Sequence, residues 1–430
     1  MNVLVVGGGG REHALCWKLR QSPRLGKLYC APGNPGIAEV AELVPIGAEE
    51  VQRLADFAVE REIGLTVVGP ELPLTLGLAD ELASRGLAVF GPSQRAAEIE
   101  GSKVFAKELM VRHGIPTAPF VVVHDAGAAR DAAGRFGYPV VIKADGLAAG
   151  KGVLIANDAA EYEDGVRALF EERRFGASAD RAVVEAFLPG EEVSFMVLSD
   201  GERILPLATA RDYKRIGDGD TGPNTGGMGC HSPSGSLPAE TAAQVLETVL
   251  YPAIRGMSSE GRPFVGILYA GLMLTPEGPS VLEFNARFGD PEAQAILMRL
   301  EDDLLEVLAA GAAGRFETSR LAFRREASAC VVLASPGYPG KPEQGDPIRG
   351  LDRAAALPGV EIFHAGTALH DGELVSAGGR VLAVCAVGED LSEALRRAYA
   401  AAEAVDWPQK VYRKDIGRRV LDPATPAGTW

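Results

Sequence analysis

Val3-Leu4-Val5-Val6-Gly7-Gly8-Gly9-Gly10-Arg11-Glu12-His13 opens the chain with an apolar run that halts in four glycines. Four consecutive β-prone residues bounded by glycine read as a buried parallel strand entering a tight turn. The pattern from Glu12 to about Gln21 then reads as a helix. Working outward, Lys27–Ala31, Leu65–Val68 and Ala88–Phe90 are further strand candidates. Each runs into turn chemistry: Ala31-Pro32-Gly33-Asn34, Gly69-Pro70-Glu71 and Gly91-Pro92-Ser93. Strands alternating with helices predict a doubly wound parallel sheet over roughly the first hundred residues. Ligands of such sheets sit beyond the carboxyl ends of the strands, where these turns fall.

The glycine turn invites comparison with a dinucleotide site, and the comparison fails. That fingerprint needs a third glycine where Glu12 stands, and an acid near the end of the second strand to hold a ribose. The second strand here ends Tyr29-Cys30-Ala31-Pro32-Gly33, with no acid. What survives is a helix N-terminus with free amides around Gly9, suited to one phosphate, with Arg11 available for a charge-assisted contact.

Further along, Ser93–His113 reads as a helical stretch carrying Lys103 and Lys107, and Tyr138–Lys143 as a strand. Strand-like Ala182–Glu185 and Glu192–Val197 flank the turn Leu188-Pro189-Gly190. A polar, glycine-rich loop runs from Arg211 to His231. Phe264–Leu274 and Ser280–Phe284 suggest a hairpin, and Ala327–Ala334, Val360–His364 and Gly379–Val387 a β-rich block with a helix near Leu391–Ala404. Apolar periodicity pauses and charge rises near Glu317–Arg325, which places a domain boundary there.

Three stretches carry chemistry. Lys143-Ala-Asp-Gly-Leu-Ala-Ala-Gly150-Lys151-Gly152 closes a strand with a lysine and adds small residues whose amides can fold over anionic oxygens. It is not a Walker A loop, because Gly152 stands where Ser or Thr is required. Glu185 and Glu192 lie on either side of a turn, where carboxylates can meet an exocyclic amine and ribose hydroxyls. Glu283, Asn285 and Arg287 alternate with apolar Leu282 and Phe284, so the three are expected on one strand face. Carboxylate and amide oxygens suit Mg²⁺, and an arginine beside them suits charge developing on a transferring phosphoryl group. The loop Asp212–Gly229 has the length and glycine content of a segment that orders over substrate.

Size and composition limit the alternatives. A chain of 430 residues exceeds one ordinary core and implies several domains. A formal charge of -15 argues against a nucleic-acid-coating surface. The 5 cysteines are dispersed, odd in number and without a CxxC pair, so reduced buried thiols in a cytoplasm are expected. No stretch suggests a membrane span or signal peptide.

In order along the chain, GGGGREHAL, APGN, VGPE, EGSK, IKADGLAAGKGV, GDTGPNTGGMG, LYAGLM, EFNARFGDPE, GYPG, FHAGT, GGRVL and RKDIG together resemble the ATP-grasp superfamily. Within it the chain is similar to the phosphoribosylamine–glycine ligases (glycinamide ribonucleotide synthetases) of purine biosynthesis. Gly8 departs mildly from the Asn usual in that turn.

The resemblance implies an α/β fold with three parts. These are a doubly wound substrate-binding domain over 1–102, a two-lobed ATP-grasp unit over 103–325 (lid lobe at about 118–190), and a β-rich α+β domain over 326–430. It places ATP between the lobes, with Lys103, Lys143 and Lys151 on phosphates beside Gly150 and Gly152. Glu185 would lie near the adenine amine, Leu188 in the adjoining turn, and Glu192 on the ribose. Glu283 and Asn285 would hold Mg²⁺ or Mn²⁺. The strand before them, Leu268-Tyr-Ala-Gly271-Leu-Met, lacks the second metal carboxylate many relatives carry. Asp212, Arg287 and Asp290 would surround glycine and its acyl phosphate. Gly9, Arg11, Gly33, Asn34 and Glu71 would receive 5-phosphoribosylamine, with Thr225 and Gly226 also on substrate. The implied chemistry is glycine activation by ATP to glycyl phosphate, then attack by the amine, in a monomer. Another ATP-grasp ligase or carboxylase would share Lys143 and Glu283 but not the Thr221–Gly229 loop. An oxidoreductase would leave Glu283, Asn285 and Arg287 unexplained. A nucleotide sensor would dispense with Arg287.

Overall fold

The computed structural model describes residues 1–147, 152–174, 176 and 180–422. The opening valine and leucine run forms the central strand Asn2–Gly7, with Val3, Leu4, Val5 and Val6 wholly buried. It pairs in parallel with Leu28–Pro32 on one side and Ile63–Val68 on the other. The short strands Glu42–Leu43 and Val89–Phe90 complete a five-stranded sheet. Its order reverses at Asn2–Gly7, so the glycine turn, Gly33-Asn34 and Pro70-Glu71 gather at one edge, as the alternation of strands and helices predicts.

The stretch 93–113 is two helices, Gln94–Gly101 and Lys103–Arg112. Ser102 separates them with extended backbone (φ -137°, ψ 115°), and its hydroxyl caps the second helix by accepting from the Phe105 amide. Aspartates cap other helices in the same way: Asp125, Asp158, Asp303 and Asp390 accept from first-turn amides. Such caps each contribute about 1 kcal/mol.

A four-stranded antiparallel sheet orders Phe120–Val123, Ala182–Ala186, Val140–Ala144 and Val153–Ala156. It packs its own small core, with Ala129, Ile142, Val166 and Val184 among the buried residues. Against it stands a second antiparallel sheet in which Glu191–Asp200 pairs with Val265–Thr275, and that strand with Gly278–Asn285. The hairpin expected near Thr275 is therefore present, with Gly271 opposite Glu283.

The glycine-rich loop holds more structure than its sequence suggests. Arg211–Asp212 and Gly229–Ser232 pair antiparallel, and Arg215–Gly217 pairs with Thr221–Asn224. Gly229–Ser232 also joins Ala327–Ala334, which continues through Arg380–Gly388 to Val360–His364. One sheet thus draws strands from both sides of residue 325. A single core then runs through Val3, Leu15, Met196, Leu297, Cys330 and Cys385, tying the first sheet to the last. All five cysteines are free and buried. Among the described residues no helix is long and apolar enough to cross a membrane.

Candidate active site

At the edge of the first sheet, Gly7 has φ +125°, and a Cβ there would lie 2.6 Å from the Glu12 Cγ. Glu12 folds back so that its carboxylate accepts from the Gly9 amide at 2.6 Å. Its other oxygen accepts from Arg11 Nε at 2.6 Å, and a second Arg11 nitrogen donates to the Phe288 carbonyl at 3.1 Å. Arg11 is therefore turned inward, and the Gly9 amide already has a carboxylate on it. The Asn34 amide donates to the carbonyls of Gly8 and His364 at 3.0 and 2.8 Å, while its oxygen accepts from the Ile37 amide. Gly33 sits at φ +71°, where a Cβ would lie 2.4 Å from Leu43 Cδ2. Glu71 accepts from Arg287 Nε at 2.9 Å.

Between the lobes, Glu100, Lys103, Lys107, Lys143, Leu282 and Glu283 line one cavity. Strand Val140–Ala144 delivers Lys143, strand Gly278–Asn285 delivers Glu283, and the helix Lys103–Arg112 brings Lys103 and Lys107 one turn apart. Lys143 donates to the Leu282 carbonyl at 2.9 Å and forms an ion pair with Glu185 at 2.5 Å. Lys107 pairs with the other Glu185 oxygen and donates to Thr117 Oγ1 at 2.6 Å. Burial pulls the Lys107 ammonium down to about 8 despite Glu185. Burial also opposes the Glu185 charge, but the two lysines outweigh it and hold its carboxyl below the usual range.

Glu283 is treated differently. Burial works against its charge, yet Lys103, Lys214, Lys143 and Arg287 hold its carboxyl at about 2. None of these cations touches it, so among the described residues its carboxylate is ionised and without an ion pair or side-chain hydrogen bond. Asn285, two residues on, accepts from Arg287 at 3.4 Å. An ionised carboxylate beside an amide oxygen is a hard-donor pair of the sort Mg²⁺ takes, leaving positions for water and phosphate oxygens.

Arg287 lies past the end of its strand and is gripped by Glu71 and, at 3.4 Å, by Glu100. The expectation that it shares a strand face with Glu283 is thus modified: alternation carries only as far as Asn285. Gly150 and Lys151 lie outside the described residues; Gly152 is buried and its carbonyl accepts from the Ala144 amide at 2.8 Å. Leu188 is half-buried in the turn between Ala186 and Glu191.

A second charged group adjoins this cavity. Glu192 pairs with Lys214, and Lys214 also lies in the field of Glu283 and Asp212, which together raise its pKa over the cost of burial. Burial, then Glu292, pushes the Asp212 carboxyl well above the ordinary range, and its Oδ1 has no hydrogen-bond partner. Ser194 Oγ donates to Glu292 at 3.1 Å and lies 2.6 Å from the Tyr269 hydroxyl. Asp290 pairs with Arg380 at 3.0 Å and accepts from Gln294 at 2.7 Å. Arg380 also donates to the Gly226 carbonyl at 2.6 Å, and Thr225 Oγ1 donates to the Lys214 carbonyl at 2.7 Å.

The structure thus gathers Lys103, Lys143, Glu185 and Glu283 in one cleft, continued through Lys214 to Glu192 and Asp212. Gly9, Arg11, Gly33, Asn34 and Glu71 lie at the edge of the first sheet, reached from the cleft through Arg287. Lys107, Lys214, Glu292 and Arg380 carried no assigned role in the sequence, although the GGRVL and DPE stretches contain two of them. A charge on a strand shows where it sits in the chain, not which distant carboxylate it meets.

Three family models cover the chain: the phosphoribosylglycinamide synthetase N domain at residues 1–100, its ATP-grasp (A) domain at 101–293 and its C domain at 328–419. The chain is 50% identical over 422 residues to a phosphoribosylamine–glycine ligase of Brucella melitensis, covering 98% of this chain and 99% of that one. A Mesorhizobium japonicum protein of the same name is 51% identical over 417 residues, covering 97% and 98%. Among solved structures, the phosphoribosylamine–glycine ligase of Thermotoga maritima superposes with a TM-score of 0.85 at 36% identity, over 97% of this chain and 100% of that one. The biotin carboxylase domain of a Hydrogenobacter thermophilus 2-oxoglutarate carboxylase, at 17% identity and a TM-score of 0.75 over 100% and 98%, shares the fold. With the models spanning nearly the whole length and the relatives matching end to end, the chain belongs to the phosphoribosylamine–glycine ligase family of ATP-grasp enzymes.

Proposed function

We infer that the chain joins glycine to 5-phosphoribosylamine, with ATP converted to ADP and phosphate, to give glycinamide ribonucleotide in purine biosynthesis. The glycine carboxylate attacks the γ-phosphorus of ATP and ADP leaves, giving glycyl phosphate. The amine of phosphoribosylamine then attacks the acyl carbon, phosphate departs, and the amide remains. No side-chain nucleophile is needed; the side chains position the reactants and stabilise charge.

One observation carries the assignment of the nucleotide end: Lys143 and Glu283 line the same cavity, with Glu283 held ionised and unpaired among the described residues. In this reading Lys103, Lys143 and Lys151 meet the phosphates beside Gly150 and Gly152. Glu185 and Leu188 lie at the adenine and Glu192 at the ribose. Glu283 and Asn285 hold Mg²⁺, which when bound neutralises the phosphate oxygens. Asp212, Arg287 and Asp290 surround glycine and the acyl phosphate, joined by Lys214, Thr225 and Gly226. Gly9, Arg11, Gly33, Asn34 and Glu71 receive the phosphoribosylamine, which then displaces the Glu12 carboxylate from the Gly9 amide. The division into 1–102, 103–325 and 326–430, the monomeric state and a reducing cytoplasm belong to the same proposal, supported for the last by the five free thiols.

The test is a coupled ADP assay with phosphoribosylamine generated in place. ADP formation should require both glycine and phosphoribosylamine, and Glu283→Gln should lower it by about two orders of magnitude. ATP turnover indifferent to glycine would remove the ligase reading.

A further inference from the structure

The stretch Arg413-Lys414-Asp415-Ile416-Gly417 has no part in the chemistry above, yet Arg413 is only 1% exposed. A buried guanidinium is tolerated only when its donors are matched. Here Nε and Nη2 donate to Asp415 at 2.7 and 2.6 Å, and Nη1 donates to Asp220 at 2.7 Å and the Arg215 carbonyl at 3.3 Å. The guanidinium carbon lies 5.0 Å from the centre of the Tyr213 ring. Arg419 takes the other Asp220 oxygen at 2.6 Å.

Backbone groups repeat the pattern. The Lys414 amide donates to Asp218 at 2.8 Å, the Gly219 amide to Asp415 at 2.8 Å, and the Gly417 amide to the Tyr213 hydroxyl at 2.9 Å. Both tip acids of the glycine-rich loop, Asp218 and Asp220, are thus held by the C-terminal segment, and so is Tyr213. Tyr213 is locally extended, exchanging backbone hydrogen bonds with Gly229 and Met228. In extended chain, successive side chains point to opposite faces. The C-terminal segment grips the Tyr213 face, while Asp212 and Lys214 on the other face lie in the field of Glu192, Glu292 and Glu283.

We propose that Arg413 is a positioning residue for the amino-acid end of the site: by clasping Tyr213 and Asp220 it fixes where the Asp212 carboxyl group and the Lys214 ammonium face the substrate. This rests on the reading that Asp212 and Lys214 meet glycine or its acyl phosphate. A fork-shaped guanidinium between two aspartates and an aromatic ring sets an orientation that apolar packing of equal volume does not. The glycine-rich loop therefore enters catalysis already pinned at its tip.

Arg413→Lys keeps the charge and loses the fork. With ATP and glycine varied separately in the ADP assay, this variant should raise the KM for glycine about tenfold while the KM for ATP changes by less than about twofold. Asp220→Asn should move the glycine KM in the same direction, and Tyr213→Phe, which loses only the hydroxyl, by less. A folded Arg413→Lys enzyme with wild-type glycine KM, or with the KM for ATP and glycine rising in parallel, overturns the proposal. Should Arg413→Lys not fold, Asp220→Asn decides by the same two KM values, because Arg413 then keeps Asp415. Wild-type enzyme without glycine-dependent ADP formation would instead sink the functional reading beneath it.

Discussion

Glu185 and Glu283 are both carboxylates surrounded by lysines, and their circumstances differ in a way that assigns different work to each. Two ammonium groups touch Glu185, whereas among the described residues the cations around Glu283 act only through their field. Because Lys107 stays on Glu185, Lys143 is free to exchange its carboxylate for a phosphate without leaving an unpaired buried charge. Lys143→Ala should therefore keep the fold and weaken ATP binding roughly 10- to 100-fold, read by calorimetric titration. Unchanged ATP affinity would make Lys143 a merely structural cation. At this scale Lys143 and Glu283 were legible, since a lysine closing a strand and an acid alternating on one have few directions to point. Arg11 and Arg287 were less so. Glu12 is the chain neighbour of Arg11, but the Phe288 carbonyl that Arg11 also reaches, and the Glu71 and Glu100 carboxylates that hold Arg287, follow from how elements dock and not from local spacing.

The helix Lys103–Arg112 shows how an element boundary becomes functional. Read as one stretch, 93–113 hides the break at Ser102, although Gly101-Ser102 is a helix stop followed by a cap. The break sets Lys103 at a helix start, and Asp145 fastens that start to the lid lobe. Its carboxylate accepts from Ser102 Oγ at 2.8 Å and the Val104 amide at 3.0 Å, and pairs with Arg181. Asp145→Ala should cost about 1–2 kcal/mol in urea denaturation and weaken ATP binding through Lys103; stability and affinity both at wild-type level would show the tie to be idle. The strands of the first sheet, the hairpin around Thr275 and the helix Leu391–Ala404 were visible from periodicity. The ladder inside 211–231 was not, because Gly-rich strands of two to four residues carry no alternation to read.

Across the whole molecule, the first helix and the last sheet are fastened by histidines. His13 Nδ1 accepts from the His364 amide at 2.8 Å, which requires the unprotonated ring. Burial, joined by the neighbouring His364, takes His13 down to about 3, and burial takes His364 and His231 to about 4. Between the ordinary value near 6.5 and these lowered values, the unfolded chain binds more protons than the folded one. The stabilisation is thus complete above pH 6.5 and lost as pH falls toward 4 and 3. His364 and His231 each contribute roughly 3 kcal/mol and His13 roughly 5 kcal/mol across their windows, so melting temperature should drop from pH 7 to 4.5, and His231→Gln should flatten the slope. A melting temperature flat over that range would contradict the buried neutral rings. The glycine-rich loop and the C-terminal strands also share one sheet, with Gly229–Ser232 zipped onto Ala327–Ala334. Gene fission at residue 325 would hand each product a raw β-edge that only the other can cover. The two fragments should therefore complement when synthesised together and aggregate when made alone.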